Sequence, residues 1–386
     1  MYHIGISVLV YQLTGSALSV LLITIAQRTP AVIMGLFGGY VADHYDKRRT
    51  LVLCHLFYSL VVMAVFFVNS KNQIWIIYAV GFVISVIGSI ARPCRSAAVI
   101  DVVDYKDIEK ANSFLRPVEN ITMIFSAALA GVLYSIVGVK FLIFVNVVTG
   151  LVSVLLISGI REITKTKQMS GEYSFTKKLL GGWHRIFEVE ELKRLFFYNI
   201  LMTIPFCAYS LILNVYPVKL FNWGATGVGI FNSLYGTATL IAAFIVAALT
   251  KKSVKNIEAL RPFLLVMNGC VWIALSLSTS RVFGVLFFMI SVTLFMVFFL
   301  NQENIKVICS GNQYVGRVSA VDLMAQVLIL MVFNLLYGKI ADHWGAHYVG
   351  IMGGLLLILL PPLYETYLRS TSLKPLFEKK VVVYED

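Results

Sequence analysis

The chain has 386 residues, of which 59% are hydrophobic and only 13% charged, at a mean hydropathy of +0.82. Soluble domains run about 45–50% apolar and about 25% charged, so an ordinary water-soluble fold is excluded, as are collagen-like, disordered and coiled-coil compositions. The net charge of +12 is spread thinly along an apolar chain rather than gathered on a polar domain, which argues against a nucleic-acid partner.

A membrane-crossing helix needs about 20 apolar residues for ~30 Å of hydrocarbon. The chain opens on an apolar segment, Met1 to Leu13, whose 13 residues reach only about 20 Å at ~1.5 Å per residue. Full spans are then predicted at 17–41, 51–69, 74–97, 111–136, 141–160, 195–220, 225–249, 259–279, 283–306, 316–341 and 345–363. The longest polar stretch, Arg161 to Arg194, falls between the sixth and seventh segments. The expected organisation is an N-terminal six-helix bundle over 1–160 with an incomplete first helix and a cytoplasmic linker over 161–194. A C-terminal six-helix bundle over 195–363 and a cytoplasmic tail over 364–386 complete it. Within the linker, Lys177, Lys178 and Arg185 alternate with Phe175, Leu179, Leu180 and Phe187, the pattern of an amphipathic helix on a membrane surface.

Lysine and arginine counting sets the expected orientation. Twenty-five fall in the loops on one side and five on the other, with Arg28 and Arg116 inside spans. This predicts both termini in the cytoplasm of a plasma (inner) membrane. The halves also repeat. A shift of 207 residues lays Gly131 and Gly138 on Gly338 and Gly345, and the basic loop Asp43 to Arg49 on Thr250 to Asn256. It lays Leu13 on Leu220, which predicts that about half of the first helix is missing, through a miscalled start or a natural truncation. Two-half repeats are how many secondary transporters are built, with substrate bound near the midplane. The five cysteines are scattered with no CxxC spacing, and the six histidines are dispersed, so no metal and no cofactor is expected. Arg28 is the first basic residue, so no secretory signal peptide is expected.

The loop Gly38-Gly39-Tyr40-Val41-Ala42-Asp43-His44-Tyr45-Asp46-Lys47-Arg48-Arg49 resembles the signature G-x-L-x-D-R-x-G-R-R/K of the major facilitator superfamily. The segments Val10 to Ser16, Ala91-Arg-Pro-Cys-Arg95, Ala111-Asn-Ser113 and Gly316-Arg-Val-Ser319 are similar to the macrolide-efflux and enterobactin-exporter type of drug:proton antiporters. The resemblance implies an all-α integral membrane protein with 6+6 helices in two pseudo-symmetric halves, acting as a monomer. It also implies a gating loop of Gly39, Asp43, Lys47, Arg48 and Arg49, whose Asp43 latches the halves by meeting the N-terminal end of the eleventh span. There are departures: His44 stands where the family has a basic residue, Asp46 replaces the loop glycine, and the fifth span keeps only Gly131 of a Gly-Pro kink.

A charge near the bilayer centre costs ~2.5–3.5 kcal/mol on insertion scales, which makes each one a functional candidate. Arg116 and Glu119 share a face at i, i+3, either as a self-neutralising pair or with Glu119 as a protonatable site. Asp322, one turn inside the eleventh span, is a second proton-coupling candidate. Glu303 is a third, unless its patch with Asn301, Gln302 and Asn304 is simply interfacial. Arg28, mid-way along the second span, together with Arg116, Asn146 and Asn214, are the substrate-cavity candidates. The expected function is proton-coupled efflux of hydrophobic or amphiphilic small molecules by alternating access, with the lipid bilayer as the other partner. An importer or lipid transporter of the same fold, or a non-transporting sensor or remnant, is the alternative. No nucleotide-binding signature and no HExxH or GxSxG motif occurs, so neither ATP drive nor an enzyme is expected.

Overall fold

The computed structural model describes residues 2–103, 107–160, 175–250, 261–311 and 314–370, all-α with no strand among them. Within lipid a helix alone satisfies every backbone N–H and C=O inside its own segment. The helices are α1 Tyr2–Thr14, α2 Ala17–His44, α3 Lys47–Met63, α4 Ile74–Val102 and α5 Ile108–Ser158, then α6 Phe175–Glu188, α7 Glu190–Phe206, α8 Tyr209–Asn214 and α9 Tyr216–Lys219. They continue with α10 Gly224–Thr250, α11 Arg261–Leu277, α12 Arg281–Ser310, α13 Val315–His343 and α14 Ala346–Ser370. Eight helices among the described residues are long and apolar enough to cross a membrane.

Within the described residues the predicted spans overlap these helices. The span at 259–279 is described only from 261, as the 17-residue α11, and the span at 51–69 runs past the end of α3. There are three further local differences. The spans at 111–136 and 141–160 are the two arms of α5, which bends at Gly138, where φ is +79°. A side chain is strained at that φ, so glycine suits the bend. The span at 195–220 is broken into α7, α8 and α9. Pro205 and Pro217, which lack an N–H for the helix ladder, flank the breaks. The basic run Lys47, Arg48 and Arg49 opens α3 instead of lying in a loop. It does so because Asp46, the residue that departs from the family glycine, caps the helix, its carboxylate accepting from the Arg49 amide at 2.6 Å.

The residues gather into two compact units. One comprises Met1–Lys177, Ser210–Gly236 and Leu330–Ala346; the other comprises Lys178–Tyr209, Thr237–Ile329 and His347–Asp386. In the first, α2 packs along α4, α3 along α5, and α1 against α5. A Cβ at Gly131 of α5 would lie 2.8 Å from the Gly229 Cα of α10, so the two helices cross with their backbones touching. Apolar side chains gain little by leaving lipid for protein, and packing of small residues and interhelical hydrogen bonds holds helices instead. Tyr134 donates to Gln12 at 2.6 Å and Ser233 to the Ile124 carbonyl at 3.0 Å in that role.

In the second unit α11 packs on α12. The fully buried Trp272 donates to Ser291, which donates to Asn268 at 2.8 Å. The amphipathic α6 docks on the start of α13: a Cβ at Gly182 would lie 2.5 Å from the Arg317 carbonyl oxygen. Ile186 of α6 enters a core with Leu192, Phe196, Val318 and Val321.

Candidate functional site

The site lies where α12, α13 and α7 meet within the second unit. Glu303 and Lys306 stand one turn apart on α12, spacing that places them on one face. Lys306 Nζ donates to Glu303 Oε1 at 2.6 Å and to Asp322 Oδ2 of α13 at 3.0 Å. Asn199 of α7 adds its Nδ2 at 3.5 Å from the same Asp322 oxygen. The side chains of Lys306 and Asp322 are 7% and 3% exposed, that of Glu303 35%. One ammonium thus faces two carboxylates, formally leaving a surplus negative charge in a membrane-spanning helix pair. Such a surplus is costly in a low-dielectric setting.

Two further features accompany the cluster. Asp322 Oδ1 is buried with no hydrogen-bond partner, as are Asn301 Oδ1 and both amide atoms of Gln302 on α12. Beside Asp322 and Lys306 is a void of about 10 Å³ lined by Ile186, Phe196, Asn199 and Val318 among others, close to the space one water needs. Ile186 places α6 on this cavity wall.

A group of aromatic rings lies in the same unit. Phe206 meets Phe295 with ring centroids 4.0 Å apart. Tyr209 lies within 6.0 Å of Trp272, Phe288 and Phe295. Trp272 and Phe288 are fully buried, while Phe206, Tyr209 and Phe295 are half-buried and present ring surface.

The remaining sequence candidates lie elsewhere. Lys47 pairs with Asp101 of α4, and Arg48 donates to the Ser158 carbonyl at the end of α5, so the start of α3 is tied to the ends of α4 and α5. Arg49 is exposed. Asn146 donates to its own helix at the Leu142 carbonyl and accepts from Tyr58 of α3 at 3.5 Å. Asn214, half-buried at the end of α8, donates to the Ser210 carbonyl. Arg28 is exposed mid-way along α2, with His3 and Tyr235 as electrostatic neighbours. Gly39, Asp43, Arg116 and Glu119 fall on α2 and α5, but their side chains lie outside the described residues.

The structure therefore brings Glu303 and Asp322 together and adds two residues that sequence reasoning missed, Lys306 and Asn199. The i, i+3 spacing of Glu303 and Lys306 is a signal that could have found the lysine. Charge counting instead places Lys306 in a loop, and Arg261 likewise, although Arg261 is buried with its guanidinium 5.0 Å from the Tyr198 ring centroid.

The Major Facilitator Superfamily model matches residues 1–328. Among curated proteins, the chain is 22% identical over 148 residues to the uncharacterized MFS-type transporter YkuC of Bacillus subtilis, covering 38% of this chain and 34% of that protein. It thus spans about a third of the length of that relative. The chain is 20% identical over 357 residues to macrolide efflux protein A of Streptococcus pyogenes, covering 90% of this chain and 86% of that one. It is 22% identical over 262 residues to the staphyloferrin A transporter of Staphylococcus aureus, covering 64% and 63%. Among solved structures, the nucleoside transporter NupG superposes with a TM-score of 0.70 at 12% identity, covering 95% of this chain and 96% of that one.

Proposed function

The chain belongs to the major facilitator superfamily, and on that premise we propose that it is a proton-coupled exporter of amphiphilic small molecules. The buried cluster of Lys306, Asp322 and Glu303 carries this reading. A transporter driven by protons needs a membrane carboxylate whose charge is coupled to a movable partner, and here one lysine serves two carboxylates.

In the proposed cycle Asp322 is the proton carrier. Deprotonated, it shares Lys306 with Glu303. Protonated from outside, it can no longer hold the ammonium as an ion pair, and Lys306 is left to Glu303 alone, which loosens the contact between α12 and α13. Release of that proton to the cytoplasm restores the pair, and the two halves alternate around the cargo as the charge on Asp322 changes. Glu303, being partly exposed, is the relay to the aqueous side. The half-buried rings of Phe206, Tyr209 and Phe295 supply a cargo surface, since aromatic walls with few polar groups suit lipophilic ligands. The names of two relatives, a macrolide efflux protein and a staphyloferrin A transporter, agree with bulky organic cargo. Arg28 adds a charge that an anionic group on the cargo can meet. The site works within a monomer in the plasma membrane.

Everted vesicles with a pH-sensitive dye test this reading against a panel of macrolides, cationic dyes and siderophores. A cargo-dependent proton signal is expected, abolished in Asp322→Asn and reduced but present in Glu303→Gln. Phe295→Ala should raise the half-saturating cargo concentration several-fold and leave the proton requirement unchanged. Cargo movement without any proton signal would sink the antiport mechanism. Loss of the signal in Glu119→Gln with Asp322→Asn unaffected would move the proton site to α5.

A further inference from the structure

Two helices of this chain end in the same pattern. Gly39-Tyr-Val-Ala-Asp43-His44 closes α2, and Gly338-Lys-Ile-Ala-Asp342-His343 closes α13. The shared ending is not a product of the internal repeat, because the shift of 207 residues lays α2 on α10 and the first arm of α5 on α13. Both copies put an aspartate in the last turn of a helix, the end where the macrodipole disfavours a negative charge. An acid at such an end is stabilised by a partner outside its own helix.

For Asp342 that partner is the first turn of α2. Its Oδ1 accepts from the Ala17 amide at 2.6 Å, and its Oδ2 accepts from the Ser16 hydroxyl at 2.6 Å and the Leu18 amide at 3.3 Å. Ser16 is itself the N-cap, its Oγ accepting from the Ser19 amide at 3.1 Å. A carboxylate thereby occupies the positive end of α2, satisfying N–H groups that a helix start leaves unpaired. One turn earlier on α13, a Cβ at Gly338 would lie 2.7 Å from Leu18 Cα, so the two backbones touch just below the carboxylate. Asp342 is nevertheless exposed. The contact joins residues 326 positions apart, and water can replace its hydrogen bonds when it parts.

We propose that Asp342 is a clasp that must open in the transport cycle. It holds the C-terminal end of α13 on the N-terminal end of α2, and the like-ended α2 carries the corresponding acid, Asp43, at its own far end. On the lysine and arginine distribution the Asp342 clasp faces outward, and its opening in a cycle rests on the transporter reading above. Asp342 is a positioning residue: it touches neither cargo nor proton and sets how readily the outer ends of α2 and α13 separate.

The test reads opening without any cargo. Val8 of α1 is 1% exposed, packed among Ala127, Ala130, Ala225 and Val228 of α5 and α10, about 9 Å along α1 from Thr14. In a background with the five natural cysteines replaced, Val8→Cys is labelled with a membrane-impermeant maleimide from either side of the membrane. Asp342→Ala is expected to speed labelling from outside about tenfold. Asp342→Asn, which keeps one acceptor, should speed it less. Oxidising the Ser16→Cys, Asp342→Cys pair to a disulfide should stop labelling, and reduction of the same sample should restore it, an internal control for folding. Labelling at the parent rate both in Asp342→Ala and in the oxidised pair would reduce Asp342 to a static cap and overturn the proposal. Acceleration from the cytoplasmic side alone would overturn its outward placement. Because no cargo is involved, failure here leaves the coupling site intact. Normal clasp behaviour with no proton signal for any cargo would instead count against the transport reading.

Discussion

Lys306 shows how a single residue fixes what its neighbours can do. Held by Glu303 at 2.6 Å and Asp322 at 3.0 Å, it neutralises a carboxylate that would otherwise lie buried and unpaired. Breaking such a pair by removing one partner costs about 3–5 kcal/mol, whereas removing both can be nearly neutral. Lys306→Met should therefore lower the thermal midpoint in detergent by many degrees, and Lys306→Met with Asp322→Asn should recover most of the loss. A double variant no better than the single one would mean that Lys306 contributes through packing, not charge. The acids of this cluster were legible in the sequence as charges inside spans. The lysine was not, because counting charges treats every lysine near a helix end as a mark of the membrane surface. Only the tertiary neighbour on α13 shows that this one points inward.

At the scale of elements, the amphipathic stretch after the first bundle was readable from its alternation of Lys177, Lys178 and Arg185 with apolar residues, and it is helical from Phe175 to Glu188. What pattern alone does not reveal is the surface it meets. Gly182 abuts the Arg317 carbonyl, and Ile186 closes the wall of the void beside Asp322. A larger side chain at Gly182 would force α6 off the start of α13. Gly182→Leu should expose α6 to limited proteolysis from the cytoplasmic side and admit water to Asp322. The matching readout is the rate at which a carboxylate-directed reagent modifies Asp322, followed by mass spectrometry. Rapid cleavage with no change at Asp322 would show that α6 packs on α13 without sealing the site. The break at Gly138 is the reverse case, where the two spans were legible in the sequence. Two apolar runs separated by a short break read as two spans, and the chain bends between them at Gly138, where φ is +79°.

Across the whole molecule, composition and span counting reach the all-α membrane architecture because hydrocarbon thickness and backbone satisfaction leave few alternatives. They do not reach the clasp at Asp342 or the ion cluster, which depend on which helix ends and faces meet. Sidedness rests on charge, and the structure refines that count. With Lys306 and Arg261 buried in helices, 23 basic residues remain on the side that the charge count assigns as inner, against five on the other. Cytoplasmic excess of lysine and arginine orients membrane proteins through short loops, so the asymmetry survives the correction easily. A reporter active only in the cytoplasm, fused after Asp386, should therefore be active. One active only outside the membrane should be silent at the same position. The opposite pattern would invert every direction assigned above. Asp342 would then guard the inner side, the proton path through Glu303 would open outward, and the same cluster of Lys306 and Asp322 would serve uptake as readily as export.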